Sequence, residues 1–322
     1  MENRKPHLIF GTMGLGGTWS SPDYGTQEID KAWNALHAAS EIGINVLDTA
    51  DIYRMGSSES VIGDVLRKDH DLASHFSIQT KCGIQLSNPT TGEITRYDLS
   101  GEHISRALDA SLERLGVDHI DTLLLHRPDP LMDPESVATA VTDAIRQKKI
   151  LRWGVSNMSS WQIDILREAI GTPIANQLEL SLAARSFIEV PINALDPGKP
   201  GSNYAPGTVE YCAAAGIEIQ AWSPLARGLY TGAPEDHIGR SRTEAEKKTS
   251  TLTLELASKY DTSVETILLW WLTMHPAAIR PVIGTSSVER IYRCGDANTK
   301  DSHLTRDEWY SLWTTARGAI LP

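Results

Sequence analysis

The chain has 322 residues, 41% of them hydrophobic and 22% charged, with a formal net charge of -11 at pH 7. That length suits two ordinary domains or one large α/β barrel, and the composition is that of a globular chain with a sizeable core. The acidic balance argues against a nucleic-acid or anionic-membrane surface, and Cys82, Cys212 and Cys294 are too scattered for a disulfide scaffold or a zinc site. The opening MENRKPHLIFGTMG lacks a signal-peptide apolar core, and the tightest apolar run, ILLWWL at 267–272, is far short of a membrane span. These features lead us to expect a cytoplasmic chain with no nucleic-acid, membrane or metal partner.

In chain order, a strand is expected at 8–12, then a helix over 27–42 with Ile29, Trp33 and Leu36 on its apolar side. Strands follow at 45–48 and 76–81. A helix over 103–115 has a stripe of Ile104, Leu108, Ser111, Leu112 and Leu115, with Gly116 placed to cap its end. After a strand at 120–125, Asp133 and Pro134 begin a helix to 146 that repeats Val137, Val141 and Ile145. Further strands are expected at 152–156, 174–178, 217–222 and 279–283. The capping-box pattern Thr305 to Glu308 precedes a last helix with Trp309, Leu312 and Trp313. Eight β-then-α units favour a single-domain (β/α)8 TIM barrel over 1–322 with an extra C-terminal helix; a doubly wound sheet is the alternative. Residues 185–207, rich in proline and glycine from 189 on, should form a long loop after strand six, ordered or lid-like, at the C-terminal face.

Three successive strands end in chemistry: Asp48 in NVLD, Lys81 in FSIQTK and His126 after IDTLLL, with Tyr53 shortly beyond Asp48. Each has an ordinary explanation, a turn aspartate, a solvated lysine, a structural histidine. Equivalent strand ends share one rim of a barrel, however, and neighbouring strands lie only about 5 Å apart. A free tyrosine titrates near pH 10, too high for efficient proton transfer at neutral pH. A nearby ammonium is expected to lower it by roughly two units. Asp48 would keep Lys81 charged, and His126 would hold a carbonyl oxygen in line with the phenol. The glycine-rich GTMGLGG lacks Rossmann spacing, since Trp19 stands where a third glycine belongs. Phosphates are better placed in the loops after strands seven and eight, AWSPLARGLYTG (221–232) and VIGTSSVERIYR (282–293).

The segments DTADIY, SIQTK, LLLHRPDPLMD, WGVSN, ANQLELS, AWSPLARG and VIGTSSVERI resemble the aldo-keto reductases in order and spacing, and are similar to a bacterial branch with an HRPDPLMD segment. The resemblance implies a (β/α)8 barrel that binds NADP(H) and reduces aldehydes or ketones. It implies Tyr53 as general acid, Lys81 as its pKa-lowering partner, Asp48 as counter-ion and His126 as the orienting residue. It further implies Thr12 and Met13 beside the nicotinamide, Asp48 also among the cofactor-binding residues, Ser156, Asn157 and Gln177 on the carboxamide, and Trp222 stacked on the nicotinamide ring. Ser223, Leu225, Arg227 and Gly228 match the pyrophosphate loop, and Gly284, Thr285, Ser286 and Arg290 match the 2′-phosphate segment.

Some positions depart from the family pattern. Gly284 stands where many members carry lysine, and Arg293 and Cys294 replace the acidic and amide pair often found near the adenine. The pocket rim, with Met13, Trp19, Arg54, Arg127 and Tyr230, would suit a carboxylate-bearing or aromatic carbonyl substrate on a monomer or weak homo-oligomer. A nicotinamide-nucleotide-binding regulatory or sensor protein is the second reading, disfavoured by the complete set of four groups. A third is an isomerase or aldolase using Lys81 as a Schiff base, which Asp48 disfavours by keeping the amine charged.

Overall fold

The computed structural model describes residues 8–87, 92–192, 205–302 and 304–321. Eight strands close a parallel barrel in sequence order: β1 (Ile9–Gly11), β2 (Val46–Asp48), β3 (Ser77–Cys82), β4 (Ile120–Leu125), β5 (Ile150–Ser156), β6 (Ala175–Glu179), β7 (Glu218–Trp222) and β8 (Arg280–Ile283), with β8 returning to β1. These are the eight expected strands, and helices alternate with them, so the fold is a TIM barrel. The register places Gly11 opposite Asp48, Asp48 opposite Gln79 and Lys81 opposite Leu124, which brings the reactive strand ends to one rim.

Capping chemistry starts the helices where the sequence indicates. The Asp133 side chain accepts from the Glu135 amide ahead of helix Pro134–Arg146, and Thr305 exchanges hydrogen bonds with Glu308 ahead of helix Arg306–Arg317. Ser100 caps helix Gly101–Leu115, which ends on Gly116 at φ 66°. That left-handed conformation carries little penalty without a side chain. Helix Val264–Thr273 is buried along nearly its whole length, and its Trp271 stacks at 5.2 Å on Trp309 of the last helix. The two tryptophans also exchange hydrogen bonds from each indole to the other's carbonyl, at 2.7 and 3.2 Å. The C-terminal helix therefore packs on the barrel's own outer layer. Among the described residues, no helix is long and apolar enough to cross a membrane.

Two expectations are corrected, and one element is additional. Trp33 is 43% exposed rather than part of the buried stripe; Ala32, Ala35, Leu36, Ala38 and Ala39 are the buried residues of helix Thr26–Glu41. An antiparallel ribbon of Ile84–Gln85 with Arg96–Tyr97 lies between β3 and the next helix; its strands are too short to show an alternating pattern. The segment expected as a loop from 185 begins with helix Ser186–Ile192, and its residues 193–204 lie outside the described residues.

Candidate active site

The site is built from the turn after β2. Ala50 accepts the Tyr53 amide, and Tyr53–Gly56 is a kinked turn in which Arg54, Met55 and Gly56 take φ values of 52°, 58° and 90°. Two consecutive side-chain-bearing residues in the left-handed region carry strain that needs anchoring. Ser58 Oγ donates to the Thr12 carbonyl at 2.9 Å, and Arg54 Nε donates to the Met13 carbonyl at 3.0 Å, tying the turn to the loop after β1. Asn157, Ser223, Ala226 and Arg227, all in loops at the same rim, also have positive φ.

Lys81 is fully buried, and its ammonium meets three acceptors: Asp48 Oδ2 at 2.7 Å, the Thr49 carbonyl at 2.8 Å and Tyr53 Oη at 3.1 Å. All three N–H bonds are thereby used. The Tyr53 and His126 rings meet edge to face, with centroids 5.9 Å apart. Burial depresses the Lys81 ammonium, but the Asp48 carboxylate and the Tyr53 oxygen more than offset it, so its pKa is raised. Burial also lifts the Tyr53 phenol above 10.0; the Lys81 charge pulls it back only in part, because Asp48 pushes the other way. The expected lowering of Tyr53 is thus corrected, since both the burial and the counter-ion oppose the ammonium. Burial, then Lys81 and Arg127, hold the His126 imidazole well below its ordinary value, and its Nδ1 has no hydrogen-bond partner among the described residues. A neutral ring is what such a site stabilises.

Beneath these groups lies a polar floor. Gln79 and Gln177 both donate to Asp48 Oδ1, at 2.6 and 2.9 Å, and both donate to Gln220 Oε1, at 2.8 and 3.0 Å. Gln79 and Gln220 were missed in the sequence reading, where a glutamine within a strand looks like ordinary alternation. Above the floor, Trp222 Nε1 donates to Asn157 Oδ1 at 3.1 Å, Asn157 donates to Ser156 Oγ at 2.7 Å, and Ser156 donates to the Gln177 carbonyl at 3.0 Å. One connected network therefore runs from the indole to the carboxylate that holds Lys81.

A cavity of about 590 Å³ opens over this network and is lined at one end by Tyr53, His126, Asp48 and Trp222. From there it runs past Ser223, Leu225, Arg227 and Gly228 to Gly284, Thr285 and Arg290, with Met13, Ser156, Asn157 and Gln177 also in its wall. Three expected residues are not in the lining. Lys81 and Thr12 are fully buried behind it, Thr12 Oγ1 donating to the Asp48 carbonyl at 3.2 Å. Ser286 faces Gly14 instead. Tyr230, expected at the rim, is buried in the core. Met13, Trp19 and Arg127 do line the opening, and the Arg127 guanidinium lies 6.0 Å from the centre of the Trp222 ring.

The cavity's chemistry fits an elongated nucleotide. It has an aromatic face at the reactive end, and Arg227 and Arg290 further along, neither ion-paired among the described residues. A closed parallel barrel with a cavity at its rim is shared by many enzyme classes, so the class is read from the family match. The sequence model described as the Aldo/keto reductase family matches residues 7–311, so the chain belongs to the aldo/keto reductase family. It is therefore an NAD(P)H-dependent oxidoreductase of carbonyl compounds. It is 31% identical over 280 residues to the 6-dehydroglucose reductase of Agrobacterium fabrum, covering 86% of this chain and 84% of that one. It is 33% identical over 283 residues to an uncharacterized oxidoreductase of Bacillus subtilis, covering 87% and 86%. The glycerol dehydrogenase of Gluconobacter oxydans has the same fold, with a TM-score of 0.78 at 23% identity over 98% of this chain and 92% of that one.

Proposed function

We propose that the protein reduces aldehyde or ketone carbonyls to alcohols with NADPH and that Tyr53 supplies the proton. The supporting observation is the contact of Lys81 Nζ with both Asp48 and Tyr53. The raised phenol remains protonated at neutral pH, the form a general acid needs. A carbonyl oxygen between Tyr53 and the neutral His126 receives the phenolic proton as negative charge develops on it. The O–H electron pair stays on Tyr53, where the fixed Lys81 charge stabilises the resulting phenolate without reorganisation. When bound, the nicotinamide supplies the hydride. Trp222, held by Asn157, would cover one face of that ring, and Ser156, Asn157 and Gln177 would orient its carboxamide.

The same reading gives Thr12 and Met13 to the nicotinamide end and Ser223, Leu225, Arg227 and Gly228 to the pyrophosphate. It gives Gly284, Thr285, Ser286 and Arg290 to the 2′-phosphate. Arg290 is the residue on which the preference for NADPH rests, since a guanidinium without an ion pair among the described residues, beside a hydroxyl-rich loop, suits a phosphate. We take residues 1–322 as one domain working as a monomer or weak homo-oligomer in the cytoplasm.

The test is oxidation of NADPH and of NADH across a panel of aldehydes and ketones. Two relatives are named 6-dehydroglucose reductases, so an oxidised sugar belongs in that panel. Turnover with NADPH above NADH is expected. Tight binding of NADPH without turnover of any carbonyl would favour the regulatory reading instead.

A further inference from the structure

Glu265 is a buried carboxylate whose Oε2 has no hydrogen-bond partner among the described residues. It lies in the first turn of helix Val264–Thr273 and is 4% exposed, yet it forms part of the wall of the cavity that also holds Thr285 and Arg290. Its Oε1 is 3.8 Å from Arg293 Nη1, while its Oε2 is sealed from solvent with no hydrogen-bond partner among the described residues. An ionisable oxygen in that state is costly unless a donor reaches it from the cavity.

The surroundings restrict what that donor is. Ser263 Oγ and Thr266 Oγ1 both donate to the Arg293 carbonyl, clamping the start of the helix against residues 293 and 294. Those two positions offer no carboxylate or amide of their own. Arg293 turns toward Glu289, with Nη2 at 2.7 Å, and the Cys294 thiol donates to the Arg290 carbonyl. A phosphate would be repelled by Glu265 and attracted to Arg290. The group that Glu265 would accept from is therefore a hydrogen-bond donor on a part of the ligand other than its phosphates.

We propose that Glu265 is the acceptor for the exocyclic amino group of the cofactor's adenine, so that recognition of the base comes from the helix before β8. This rests on the nicotinamide-nucleotide reading of the cavity. The test compares binding of NADPH with that of its hypoxanthine analogue, in which the amino group becomes a carbonyl oxygen, by quenching of tryptophan fluorescence. The wild-type chain should bind the analogue about tenfold to hundredfold more weakly, because two acceptors then face each other in a buried site. Glu265→Gln should bring the two affinities together, since an amide both donates and accepts; its melting temperature, read alongside, reports folding. Equal affinities in the wild type, or a folded variant that keeps the discrimination, would overturn the assignment while leaving the reductase reading intact. No binding of NADPH at all would overturn the cofactor reading and this assignment with it.

Discussion

The Lys81 ammonium sits 3.1 Å from the Tyr53 hydroxyl while holding Asp48 at 2.7 Å with its opposite side. The phenol is consequently caught between a cation that favours its ionised form and a burial that opposes it, and burial prevails. For carbonyl reduction the protonated phenol is the active form. Its raised pKa therefore keeps kcat/KM level through neutral pH, with loss only above about 10. In the alcohol-oxidising direction the phenolate is the active form, so the rate should climb with pH over the same range. Paired pH–rate profiles for the two directions check this.

Asp51 makes a second pH-dependent contribution, this time to stability. Its Oδ1 is sealed without a hydrogen-bond partner among the described residues, and burial, reinforced by the Glu59 charge, lifts its carboxyl to about 8. Because the folded-state value is raised, folding takes up a proton between the ordinary 3.8 and about 8. The contribution is fully present below 3.8 and is lost as pH rises through about 8. Asp51→Asn should flatten that decline and leave the chain more resistant to denaturant at alkaline pH. Urea titrations on either side of that value would show it.

Glu59 is fully buried and shared by two elements. Thr80 of β3 donates to its Oε1 at 2.5 Å, and Arg114 Nε donates to its Oε2 at 2.8 Å. The pair forms because helix Ser57–Lys68 approaches the end of helix Gly101–Leu115 closely at Gly63, where a Cβ would lie 2.4 Å from the Arg114 carbonyl oxygen. Arg114→Met should cost about 3–5 kcal/mol by stranding a buried carboxylate. Adding Glu59→Gln should recover part of that loss, as measured by denaturant melts of both variants.

The strand-end groups were legible because parallel strands are continuous apolar runs, so a charged or imidazole side chain closing one stands out. Asp48, Lys81 and His126 were read this way, and the barrel brings them together. Other features were hidden for physical reasons. The sequence carries no measure of burial, so the direction of the Tyr53 shift was read from its lysine neighbour alone. Gln79 and Gln220 bond through the barrel interior to a carboxylate on another strand, a relationship no local pattern encodes. Trp33 has the spacing of a core residue, but its indole donates to Asp69 on the surface. Glu265 is the second residue of the run VETILLWWLT, where an acid in a first helical turn passes for a favourable partner of the helix dipole.

Turnover and cofactor binding of Tyr53→Phe, measured side by side, test the role of the phenol most directly. Removing one oxygen leaves the ring against His126 and the Lys81–Asp48 pair in place, so NADPH should bind within about twofold of wild type while kcat for carbonyl reduction falls by about 100-fold or more. A variant that reduces carbonyls at the wild-type rate would contradict the assignment of Tyr53 as the proton donor.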